Sequence, residues 1–178
     1  MTRIILIGFM GCGKSTLGKK LAKRLNVPFI DSDKEIEAIQ QRTIGEIFGE
    51  HGESGFREME AEFISSLELK DDFVLATGGG TPCFNNAMAQ LNKIGSTFYL
   101  ERSAKELAHR LAHSKTKRPL IVGLSDEDLL TFIEEKLSVR SEFYKKASVI
   151  LTREEQTPDE LEKLIRLLQP HSHSPQKS

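Results

Sequence analysis

Gly8-Phe9-Met10-Gly11-Cys12-Gly13-Lys14-Ser15, followed by Thr16, meets the pattern G-x-x-x-x-G-K-[ST] at every fixed position. Ahead of it, Ile4-Ile5-Leu6-Ile7 is a short apolar, β-branched run of the kind a fully buried parallel strand needs. Behind it, Leu17, Leu21, Ala22 and Leu25 recur at helical spacing, with Lys19, Lys20, Lys23 and Arg24 on the opposite face. Strand, glycine loop and helix N-terminus in that order aim backbone N–H groups and the positive end of a helix dipole at a bound anion. The loop from Gly11 through Cys12 and Gly13 to Thr16 is therefore expected to cradle nucleotide phosphates. Lys14 would reach the β- and γ-phosphates, and the Ser15 hydroxyl would ligate Mg²⁺.

Such a loop needs an α/β sheet around it, and the rest of the chain supplies one. Val27–Ile30, Phe73–Thr77, Thr97–Leu100 and Ser148–Leu151 read as four more buried strands, each separated from the next by helical patterns. A helix starts at Lys34, and Thr43-Ile44-Gly45-Glu46 fits a capping box opening a short helix through Phe48. Gly49, Gly52 and Gly55 are expected to break that up before a longer helix from about Phe56 to Leu69. Met88 and Leu91 mark a further helix. Ser103-Ala104-Lys105-Glu106 starts one reaching about Ala112, and another spans roughly Ser125 to Lys146. Thr157-Pro158-Asp159-Glu160 combines a capping box with proline at the first helical position, and the last helix runs to Leu168. This alternation predicts a five-stranded parallel sheet covered on both faces, with ligands at the carboxyl ends of the strands.

Length and charge narrow the function classes. The 178 residues suit one domain over 1–169, with 170–178 a disordered polar tail in which His171 and His173 carry no metal. With 25 basic and 26 acidic residues there is no positive excess to hold a nucleic acid backbone. No apolar run is long enough to span a membrane, and a first strand starting at residue 3 leaves no room for a signal peptide. Two cysteines, Cys12 and Cys83, make no disulfide framework, so a cytoplasmic location is expected. Cys12 is read as a small residue filling a permissive loop position.

A second constellation narrows the chemistry. Asp31-x-Asp33 ends one strand, Phe56-Arg57-x-x-Glu60 opens a helix, and Gly78-Gly79-Gly80 ends another strand. Arg118-Pro119-Leu120 lies in a basic loop over 113–123, and Arg140 precedes Tyr144 by four residues. Singly, each has a bland reading: Asp33 as a helix cap, Arg57 and Arg140 as solvated helix arginines, the glycines as a flexible loop. Together, and in this order with GFMGCGKST at 8–16, they closely resemble the shikimate kinase family from Arg3 to about Leu168.

The resemblance implies a P-loop NTPase fold of the nucleoside monophosphate kinase type with a mobile lid at about 113–123. It implies ATP and Mg²⁺ as cofactors and shikimate as the acceptor, in a monomer without nucleic acid or membrane partners. Arg57 and Arg140 would hold the shikimate carboxylate, Asp33 would contact ring hydroxyls, and Gly79 and Gly80 would complete the pocket. Asp31 and Thr77 would reach Mg²⁺ through water. Arg118 would stabilise the transferring phosphoryl group, Arg110 would pack on adenine, and Gln156 would fall in the adenine loop. Lys14, Asp33 and Arg118 are then the catalytic set, with Asp33 orienting the 3-hydroxyl and accepting its proton.

Two departures from the family pattern stand out. Thr81-Pro82-Cys83-Phe84-Asn85-Asn86 is more polar than the usual continuation, leaving the geometry at Pro82 open. Arg110 and Arg118 are also one residue further apart than in some members. A gluconate-type kinase fits the loop and arginines but not the whole set. A binding module that lost turnover is hard to reconcile with Lys14, Ser15, Asp33 and Arg118 all being present.

Overall fold

The computed structural model describes residues 1–114 and 119–168. Arg118, part of the predicted lid, and the tail with His171 and His173 lie outside the described residues. Five strands form one sheet: β1 (Arg3–Ile7), β2 (Phe29–Asp31), β3 (Phe73–Ala76), β4 (Ser96–Leu100) and β5 (Val149–Leu151). Their spatial order is β2-β3-β1-β4-β5, and every pairing is parallel. The predicted sheet is the observed one.

Helices cover both faces, which is why β1 is apolar throughout instead of alternating. Ile4 and Leu6 point to one face, with α1 (Lys14–Leu25), α5 (Ala104–Ala112) and α7 (Pro158–Leu168) packed there through Leu17, Leu107 and Leu161. Ile5 and Ile7 point to the other, against α3 (Ile44–Ser66) and α4 (Ala87–Ile94) through Phe63, Ile64 and Leu91. Helix α2 (Ser32–Gln40) joins that second layer through Ile36, and the end of α6 (Asp126–Tyr144) joins it through Tyr144. In register, Leu6 pairs with Ala76 and Ile7 with Tyr99. The loops leaving β1 and β3 and the first turn of α2 therefore open at one edge of the sheet.

Local signals account for most boundaries. The capping boxes at Thr43–Glu46 and Ser103–Glu106 are closed in both directions. Thr157 Oγ1 accepts the Glu160 N–H at 3.2 Å, one half of the expected box. Strand β2 starts at Phe29, later than Val27, because the Val27 N–H is taken by the Ala22 carbonyl as α1 ends. Of the glycines expected to interrupt the next helices, only Gly52 does so, at φ 65° and ψ −173°. Gly49 and Gly55 stay helical, at the modest propensity cost an interior glycine carries. Pro82 sits in a tight turn, Thr81–Cys83, and no peptide bond among the described residues is cis. Among the described residues no helix is long and apolar enough to cross a membrane.

Candidate active site

A cleft of about 670 Å³ opens at the carboxyl edge of the sheet, its lining including Gly11, Lys14, Ser15, Asp31, Asp33, Thr77, Gly79 and Arg110. The glycine loop leaves β1 and enters α1 at Lys14, as the sequence predicts. Lys14 is buried, and its ammonium donates to the Gly8 and Phe9 carbonyls at 2.7 and 2.9 Å. Cys12 Sγ lies 3.6 Å from the same nitrogen, and Cys12 itself is buried, as befits a small loop filler. Ser15 Oγ donates to Asp31 Oδ2 at 2.9 Å, so the two predicted metal-side residues meet. A hydroxyl beside a carboxylate is a hard-oxygen pair that suits Mg²⁺. Thr77 is buried one strand away, its hydroxyl donating to the Leu6 carbonyl at 3.4 Å.

Arg110 docks on the loop, its Nε donating to the Gly11 carbonyl at 2.8 Å. Gln156 lies where β4 and β5 end, its amide nitrogen donating to the Glu101 and Leu151 carbonyls at 2.8 and 2.9 Å. Its Oε1 is buried without a hydrogen-bond partner.

Asp33 sits in the first turn of α2. Burial pushes its carboxyl pKa up to about 6, and the negative charges of Asp31 and Glu60 add to this, while Lys14 and a hydrogen bond from Ser32 oppose it. The glycine triplet forms the facing wall. Ser32 Oγ accepts the Gly78 N–H at 2.8 Å, fixing where the wall begins. A methyl group on Gly78 would lie 2.6 Å from Asp33 Oδ1, and one on Gly80 would lie 2.7 Å from Arg57 Nη2. Only bare backbone fits between those charged groups.

Both predicted carboxylate arginines converge on this wall. Arg57 lies against Gly80, its Nη1 bonded to Glu60 Oε2 at 2.6 Å and its Nη2 to Glu53 Oε1 at 2.9 Å. Arg140 lies against Gly79, its guanidinium carbon 5.6 Å from the centre of the Phe9 ring. Neither is a freely solvated helix arginine. One turn beyond Arg140, the Tyr144 hydroxyl donates to the Gly79 carbonyl, and the Tyr144 ring packs 5.1 Å from that of Tyr99.

Sequence reasoning left several participants without a role. Glu60 is buried, holding Arg57 with one oxygen and accepting from Thr81 Oγ1 with the other. The i,i+3 spacing from Arg57 was its available signal. Glu53 sits four residues before Arg57, and Tyr144 four after Arg140, each on the neighbouring turn of its helix. Ser32 meets Gly78 across a long sequence separation and carried no comparable signal.

Comparison with known proteins places the whole chain. The shikimate kinase family model matches residues 10–169. A shikimate kinase from Bacteroides fragilis is 45% identical over 150 residues, 84% of each chain. The crystal structure of shikimate kinase from Bacteroides thetaiotaomicron superposes with a TM-score of 0.86 at 40% identity, covering 94% of this chain and 98% of that one. The shikimate kinase from Acinetobacter baumannii, solved in complex with shikimate, gives 0.79 at 32% identity, covering 94% and 92%. Similarity at this level, sustained from the glycine loop to the last helix, makes the chain a member of the shikimate kinase family.

Proposed function

We propose that this cleft carries out the family reaction with Lys14, Asp33 and Arg118 acting on the transferring group and Arg57, Arg140, Gly79 and Gly80 holding the acceptor. Shikimate kinases move the γ-phosphoryl group of ATP to the 3-hydroxyl of shikimate, a step in aromatic amino acid biosynthesis, and so does this chain. The observation that carries the residue roles is the convergence of Arg57 and Arg140 on the glycine triplet, with Asp33 beside its first glycine. Two guanidinium groups suit one carboxylate, and an aspartate beside them suits ring hydroxyls.

Phosphoryl transfer in sites of this kind depends chiefly on positioning and electrostatics. Lys14 exchanges the Gly8 and Phe9 carbonyls for phosphate oxygens, so its charge is already desolvated when the nucleotide arrives. The acceptor 3-hydroxyl attacks the γ-phosphorus in line, the bond to the ADP oxygen breaks, and Asp33 takes the hydroxyl proton. A carboxyl pushed up to about 6 is a stronger base than an ordinary aspartate yet still largely ionised at neutral pH. Ser15 would hold Mg²⁺ directly, with Asp31 and Thr77 acting through water. When bound, the ion neutralises charge on the β- and γ-phosphate oxygens. Arg118 supplies a further positive charge from the lid over 113–123, Arg110 packs on the adenine and Gln156 borders it. The proposal extends to one domain over 1–169 working as a cytoplasmic monomer.

Replacing Arg57 or Arg140 by lysine tests the acceptor assignment, because charge is kept and the guanidinium fork is lost. A charge-assisted hydrogen bond contributes roughly 1.5–3 kcal/mol, so shikimate affinity should fall about tenfold to a hundredfold while ATP affinity without shikimate stays unchanged. Affinity within twofold of wild type in both variants would remove these arginines from the acceptor site. ADP release with shikimate, quinate and gluconate as alternative acceptors checks the substrate independently.

A further inference from the structure

We propose that Phe84 is a positioning residue for the acceptor, its ring fixing the plane in which Arg57 meets the substrate carboxylate. The inference rests on the assignment of Arg57 to that carboxylate. The Phe84 ring centre lies 4.1 Å from the Arg57 guanidinium carbon, a stacking distance, whereas the Phe56 ring lies at 5.4 Å. The Arg57 side chain is only 11% exposed, and a cation over an aromatic face is held more strongly when water is excluded.

Other contacts from the same segment show that it is built around this arginine. Asn85, in the left-handed region at φ 48°, sends its side-chain amide to the Arg57 carbonyl at 3.0 Å. Thr81 donates to Glu60, the carboxylate that holds Arg57 Nη1 at 2.6 Å. Gly80 leaves the space that the arginine's two terminal nitrogens fill. Carboxylates thus hold the two terminal nitrogens, bare backbone borders them, and the Phe84 ring is the nearer of two aromatic rings to the guanidinium.

Phe84 itself is 38% exposed and belongs to neither hydrophobic core cluster. Its exposed position means that truncation leaves the core intact. Glu60 and Glu53 fix where the Arg57 terminal nitrogens sit, but two point contacts leave the guanidinium plane free to tilt about the line joining them. A tilt of that plane misaims the remaining N–H groups, and bidentate carboxylate recognition depends on their direction.

The test compares Phe84→Leu, Phe84→Tyr and Arg57→Lys in the full chain by steady-state kinetics. Calorimetric binding of shikimate and of its carboxyl-reduced analogue, a hydroxymethyl compound, accompanies the kinetics. Phe84→Leu should raise the shikimate KM roughly five- to twentyfold, with kcat and the ATP KM within twofold of wild type. Phe84→Tyr, which keeps the aromatic face, should restore the wild-type KM, and binding of the hydroxymethyl analogue should be unchanged in all three variants. A shikimate KM within twofold of wild type in Phe84→Leu, alongside a large rise in Arg57→Lys, would overturn the role of the ring and leave the arginine assignment standing. No effect in Arg57→Lys would overturn the arginine assignment and, with it, this inference. Equal losses of affinity for shikimate and its analogue in Phe84→Leu would show general damage to the pocket and would also overturn it.

Discussion

Asp33→Asn should make the protein more stable while removing its activity. The Asp33 carboxyl has its pKa raised from 3.8 to about 6 by burial and by the charges of Asp31 and Glu60. A carboxyl whose folded pKa lies above its unfolded value disfavours the native state once it is ionised. That penalty is fully present above about pH 6, shrinks as pH falls, and vanishes once both states are protonated. A shift of about two units corresponds to ~3 kcal/mol at pH 8, falling to roughly half of that at pH 5. Asparagine keeps the shape and removes the charge, so urea unfolding at pH 8 should show a gain of up to ~3 kcal/mol, visibly smaller at pH 5. Turnover should collapse in the same variant, and wild-type kcat/KM for shikimate should fall on the acid side of about pH 6. A variant less stable than wild type at pH 8, or a gain that does not shrink at pH 5, would refute the claim that this carboxylate is held ionised at a cost.

Lys14→Ala should lower kcat by far more than tenfold, the equivalent of about 1.4 kcal/mol, and circular dichroism should show the fold retained. Gly52→Ala should destabilise by about 1–3 kcal/mol in thermal or urea unfolding. Its φ of 65° with ψ of −173° is a conformation for glycine alone, although an added methyl group there would meet nothing within 4 Å.

The fold was legible because its signals are local. Ile4-Ile5-Leu6-Ile7 reads as a doubly covered strand from composition alone, and the observed division of Ile4 and Leu6 from Ile5 and Ile7 between two helical layers is what such a run implies. Thr43 and Ser103 announce helix starts through residues only three positions away, and both boxes close in the structure. The glycines between 49 and 55 were harder. Three were expected to interrupt the chain and one does, because a helix interior tolerates glycine unless a neighbouring constraint demands a turn. Nothing in sequence distinguishes Gly52 from Gly49 or Gly55.

The site was legible wherever a residue type is tied to one chemistry, and opaque wherever its role depends on a partner far along the chain. The roles of Lys14 and Ser15 could be read from the loop pattern and that of Asp31 from the family resemblance, and Ser15 and Asp31 do meet. The state of Asp33 could not be read, since it follows from burial, from the charge of Asp31 and from that of Glu60, 27 positions later. Arg57 shows the same division more sharply. Its identity suggests a carboxylate grip, yet its two terminal nitrogens already hold Glu60 and Glu53. Glu60 is buried and tied to Thr81, whereas the Glu53 side chain is 60% exposed. Breaking the first pair would strand a buried charge, while releasing the second returns a carboxylate to water. An incoming carboxylate therefore meets least resistance at Nη2, the nitrogen that a methyl group on Gly80 would approach to 2.7 Å. Side-chain exposure decides that order, and exposure is a property of the folded neighbourhood that no reading of residue spacing along α3 contains.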